Sequence, residues 1–88
     1  MKHATDRALD SIEPLLCEIR KLDGLVERKR GIWYLHARAF LHFHEDPAGI
    51  FADVKVGSDF QRFRVQTALE RRDLLRRVKR LLVTAQRS

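Results

Sequence analysis

Between residues 31 and 67 apolar and polar side chains alternate in four short runs, and no other feature constrains the fold of this chain as strongly. Residues 32–35, 39–44, 50–56 and 60–65 are rich in aromatic and β-branched residues. The breaks between them, at 37–38, 45–49 and 57–59, are short enough for hairpins. A period of two puts alternate side chains on opposite faces, so the runs predict a four-stranded antiparallel meander with one face buried.

The flanks change period. Ala8, Leu9, Ile12, Leu15, Leu16, Ile19 and Leu22 recur at spacings of three and four, which is one arc of a helix. Pro14 either kinks that helix or lies in its first turn after a start at Asp10 or Ser11. Asp23-Gly24 stops it, with Arg20 and Lys21 near the negative end of the helix dipole. At the other flank Thr67 and Glu70 match a capping box, and Leu74, Leu75, Val78, Leu81, Leu82 and Ala85 form the apolar arc that follows. The predicted class is α+β, ordered α-β-β-β-β-α, with both helices on one sheet face. At 88 residues the chain has apolar material for a single domain spanning 1–88.

Alternation then divides the side chains. Leu41, Phe43, Ala52, Val54, Phe63 and Val65 are expected to point inward. Phe40, His42, His44, Phe51, Asp53, Lys55, Phe60, Arg62 and Arg64 are expected on the open face. His42 and His44 are two apart on one strand, and if the hairpin pairs His42 with Asp53, three metal-ligand side chains converge. Such a set is a zinc or Fe(II) half-site with positions left for water, and a divalent metal is the one cofactor the chain suggests.

Two other uses of the open face follow from its composition. Phe40, Phe51 and Phe60 lack an internal partner on this reading, which makes a homodimer through that face, without enzymatic activity, the leading expectation. The charge is also uneven. Residues 1–59 carry nine Lys and Arg against ten Asp and Glu, whereas residues 60–88 carry nine against two. Phe51, Phe60, Arg62 and Arg64, with Arg72, Arg76, Lys79 and Arg80 on the last helix, would then suit single-stranded nucleic acid, rings beneath bases and cations against phosphates.

The remaining motifs are negative. A lone Cys17, expected to be exposed, allows no internal disulfide, and the first residues lack the apolar stretch of a signal peptide or a membrane span, so a reducing, cytoplasmic setting is expected. There is no phosphate-binding glycine loop, nucleophile elbow or paired-cysteine zinc motif. Trp33 and Tyr34, on successive strand positions, read as structural, and residues 29–31 as a turn.

Gly31-x-Trp33-Tyr34, the run Phe40-Leu41-His42-Phe43-His44-Glu45-Asp46, then Gly49-Ile50-Phe51-Ala52-Asp53-Val54 and Phe60-x-Arg62-Phe63 together resemble a family of small bacterial proteins with no assigned activity. The likeness covers less than half the chain. It implies a bacterial cytosolic protein and carries over no catalytic residue.

Overall fold

The structure, a computed structural model, describes residues 2–87, and side chains through residue 85. In chain order the elements are β1 (Lys2–His3), α1 (Asp6–Ser11), α2 (Glu13–Arg20), β2 (Leu25–Lys29), β3 (Ile32–Leu35), β4 (Arg38–Asp46), β5 (Gly49–Val56), β6 (Asp59–Arg64) and α3 (Ala68–Arg87). The class is α+β with an antiparallel sheet, as expected, but the sheet is larger than the predicted four strands. β2 to β6 form a five-stranded meander in sequence order, and β1 pairs with the far end of β4.

The two added strands have physical reasons for escaping a sequence reading. β2 is an edge strand of the sequence Leu-Val-Glu-Arg-Lys, exposed along most of its length, so charged residues replace the apolar alternation that marks a half-buried strand. β1 is two residues long, and its partners His44 and Glu45 lie some forty positions away, beyond any local signal.

Each meander connection is two residues long. Lys29 pairs with Ile32, Leu35 with Arg38, Asp46 with Gly49 and Val56 with Asp59, so the turn expected at 37–38 lies one residue earlier and those expected at 45–49 and 57–59 are tighter than predicted. His36 and Ala37 both take positive φ, 52° and 66°, the geometry of a turn that normally selects Asn-Gly. For residues with a Cβ this costs about 1–2 kcal/mol each.

Pro14 lies in the first turn of a helix, as one of the two expectations had it, but that helix starts at Glu13 and not at Asp10 or Ser11. Ile12 interrupts the helix and Pro14 falls in the first turn of α2, where its missing N–H costs nothing. The capping box also forms: Glu70 N–H donates to Thr67 Oγ1 at 3.1 Å, and Thr67 N–H donates to Glu70 Oε1 at 3.0 Å. These contacts hold the Glu70 carboxyl below its ordinary range.

One core joins the helices to the sheet: Leu9, Ile12, Leu16 and Ile19 from α1, α2 and the residue between them, Leu74 and Val78 from α3, and Trp33, Leu41, Phe43, Ala52 and Val54 from the strands. Trp33 and Phe43 meet edge-on with ring centroids 5.9 Å apart. Burying a large side chain of this kind stabilises by about 1.5–3 kcal/mol. Inward assignments hold for Leu41, Phe43, Ala52, Val54 and Val65, and Phe63 is half-buried against the core.

Phe40 is a correction. Expected on the open face, it is 5% exposed and belongs to the core. Trp33 pairs with Leu41 and Tyr34 with Ala39, so Phe40 is the extra residue of a β-bulge and escapes the alternation.

Candidate functional site

On the open face two cross-strand rows lie side by side. The first runs Ile32, His42, Asp53, Arg62; the second runs His3, His44, Phe51, Arg64. The pairing of His42 with Asp53, on which the metal reading depended, is present. The Pro47-Ala48 turn sets this register, because a shift by one residue would send His42 and His44 into the core.

His44 Nε2 lies between two partners, 2.5 Å from His42 Nδ1 and 3.2 Å from Asp53 Oδ2. One ligand atom from each residue falls within 4.8 Å of the others, a grouping suited to a metal ion. Zinc–nitrogen bonds of about 2.0–2.1 Å at tetrahedral angles place ligand atoms about 3.3 Å apart; the His44–Asp53 separation of 3.2 Å is close to that value, and the His42–His44 separation of 2.5 Å is shorter, so an ion would need the two imidazoles to draw apart.

Asp53 is 7% exposed and needs compensation for its charge. Arg62 supplies it with a two-pronged contact: Nε donates to Oδ1 at 2.8 Å and Nη2 to Oδ2 at 2.9 Å. That guanidinium holds the Asp53 carboxyl below the usual carboxylate range, against the opposing effect of burial. Burial, then the neighbouring His44, pushes His42 below the ordinary imidazole value, which keeps a nitrogen lone pair available near neutrality. The Phe60 ring covers His42 edge-on at 5.0 Å and is itself 43% exposed.

Sequence reading missed His3, because only the pairing of β1 with β4 brings it opposite His44. Its Nε2 lies 3.2 Å from the Arg30 carbonyl, which can only accept, so Nε2 carries a proton. Gly31 permits this approach. With φ at +83°, it would bring an added Cβ within 3.0 Å of Leu9 Cδ2 and 3.5 Å of His3 Cε1. Two buried side-chain nitrogens among the described residues have no hydrogen-bond partner, His3 Nδ1 and His44 Nδ1.

The other predicted site residues are dispersed or committed. Phe51 is half-buried, Arg62 is held by Asp53, and Arg64 Nε lies 3.8 Å from Glu70 Oε1. Arg72, Arg76, Lys79 and Arg80 are exposed along α3, with Arg76 4.0 Å from Asp73. Lys55 lies over the Phe60 ring at 5.9 Å. Tyr34 is half-buried under the Arg28 guanidinium, and Cys17 is free and exposed. Among the described residues no helix is long and apolar enough to cross a membrane.

Comparisons of this chain with protein-family models, with curated proteins and with solved structures find no match.

Proposed function

We propose that this domain binds a divalent transition metal of the zinc class through His42 Nδ1, His44 Nε2 and Asp53 Oδ2. The observation that carries the reading is the convergence of these three atoms in a largely buried setting. Protons alone serve the cluster poorly. If His44 Nε2 donates to Asp53, Nδ1 is a buried acceptor without a donor; if Nε2 is bare, it faces the carboxylate lone pair and Nδ1 is a buried donor without an acceptor.

A cation at the three atoms resolves one of these faults: its charge satisfies the lone pairs that face one another, and coordination through Nε2 puts the His44 proton on Nδ1. His3 stands directly opposite His44 with its own proton on Nε2, committed to the Arg30 carbonyl, and its Nδ1 makes no hydrogen bond to His44. Arg62 keeps Oδ1 in place while Oδ2 turns to the ion, and with a side chain 49% exposed it can yield room. Three protein ligands leave a position for water, as in zinc sites that are not closed by a fourth.

The homodimer and the nucleic-acid platform have less support. Phe40 has left the open face, Phe51 is half-buried and Arg62 is committed, which leaves Phe60 as the one exposed ring of the three. The bacterial, cytoplasmic setting is compatible with all three readings.

Titration of the purified chain with Zn²⁺, and with Co²⁺ as a spectroscopic stand-in, tests the proposal. The expected result is a one-to-one complex with cobalt absorption bands typical of low coordination number, weakened at least about tenfold in His42→Ala. No uptake after dialysis against zinc, or uptake indifferent to His42→Ala, would overturn it. A dimer by light scattering without metal uptake would return the face to self-association.

A further inference from the structure

We infer a second, independent binding site at the end of the sheet beside the His36-Ala37 turn, one that takes a small amphipathic carboxylate of the medium-chain fatty-acid kind. A cavity of about 600 Å³ opens there between the strand ends and the last turns of α3. That size lies within the range of small-molecule sites. Leu35, Ala39, Phe40 and Leu81 form an apolar floor, and Arg38 and Lys55 stand on its lining.

Three features of this end of the molecule have no role in the histidine cluster. The β-bulge removes Phe40 from the open face and turns it into this cavity, and bulges commonly re-aim a side chain in this way beside functional sites. The turn that borders the cavity holds His36 and Ala37 in the left-handed region, although glycine or asparagine would adopt it more cheaply. No carboxylate lines the cavity among the described residues. Among the described residues the Arg38 side chain makes no ion pair, and the Lys55 ammonium lies 5.9 Å from the centre of the Phe60 ring.

The chemistry of the ligand follows from these parts. An apolar floor accepts a hydrocarbon tail, and the exposed Arg38 on the lining, which has no carboxylate partner among the described residues, favours an anionic head. Phe40, at 5% exposure, presents too little ring for a base to stack on it, which disfavours nucleotides.

The test is an amide NMR titration of the whole chain with decanoate below its micellar concentration, with decanol in parallel. Saturable shifts centred on Leu35, Phe40 and Leu81 are expected for decanoate, with decanol at least fivefold weaker. Arg38→Glu with Lys55→Glu should weaken decanoate at least tenfold while leaving the Trp33 indole signal, a report on the core, in place. Ala39→Trp, which fills the cavity, should abolish the shifts. Equal binding of acid and alcohol, shifts centred on Phe60, or binding unchanged by Ala39→Trp would each overturn the inference. Zinc plays no part in it, so the result stands whether or not the histidine cluster takes up metal.

Discussion

Two clusters in this molecule are built on arginine–carboxylate contacts, and they differ in whether their polar atoms are all paired. Arg30 reaches from the β2–β3 turn to the helices: Nη1 donates to Asp6 Oδ1 at 3.1 Å, and Nη2 to Asp10 Oδ1 and Glu13 Oε1 at 2.8 Å each. Arg20 meets Glu13 from the other side and joins it to Glu27. The carboxylates are 21–85% exposed, so water serves whatever the arginines do not. Around Asp53 the arginine contact is just as complete, yet two buried nitrogens nearby have no partner. Saturated polar clusters fasten elements together; an unsaturated buried one has polar atoms left over for a further partner, such as the metal proposed above. The Arg30 backbone links the two, because its carbonyl holds His3 while its side chain holds the helices.

The difference is broken most sharply by removing one residue from each cluster and measuring zinc affinity. His44→Ala deletes the central ligand and is expected to lower affinity at least about 100-fold, beyond the loss usual for an outer partner. Arg30→Ala leaves the carbonyl that holds His3 and should change affinity less than about threefold. Equal losses in the two variants would mean that His44 acts through folding alone.

Acidification discriminates next. His42 titrates below its ordinary value in the folded chain, so the unfolded chain binds more protons around pH 6, and stability falls as pH drops through about 6.5 and below. Protons and zinc compete for the same nitrogens, so affinity should fall about tenfold or more between pH 7 and 5.5. Asp53 and Glu13 both titrate below the ordinary carboxylate range, held there by Arg62 and by Arg30 with Arg20 respectively. Their contributions persist across this window and are lost only at lower pH. His42→Gln should flatten the pH dependence of stability above pH 5.5; an unchanged slope would exclude His42 as its source.

Which parts of this site could be read from the sequence depends on how far apart its residues lie in the chain. His42, His44 and Asp53 share one hairpin, so alternation and a short turn suffice to bring them together. Arg62 follows by the same logic one strand later. His3 does not, because its strand is too short to leave a pattern and its partner is forty residues away. Phe40 defeats the opposite expectation, since a bulge changes the parity of a strand without changing its composition. The capping box and the proline break were legible because each is decided within one turn of helix.

The smallest expected effect concerns the saturated cluster itself. Removing Arg30 leaves Asp6, Asp10 and Glu13 facing one another without their shared cation. Exposed ion pairs contribute little each and these three share one donor, so Arg30→Ala should lower the urea midpoint only slightly at low salt. Raising the ionic strength to 1 M shortens the screening length to about 3 Å and should erase much of that difference, because the carboxylates already face water. The same salt should leave the Asp53 pairing with Arg62 nearly intact, since Asp53 is buried. A cost for Arg30→Ala that salt leaves unchanged would show that the arginine acts by packing its stem against the helices, and the contrast between the clusters would then rest on burial alone.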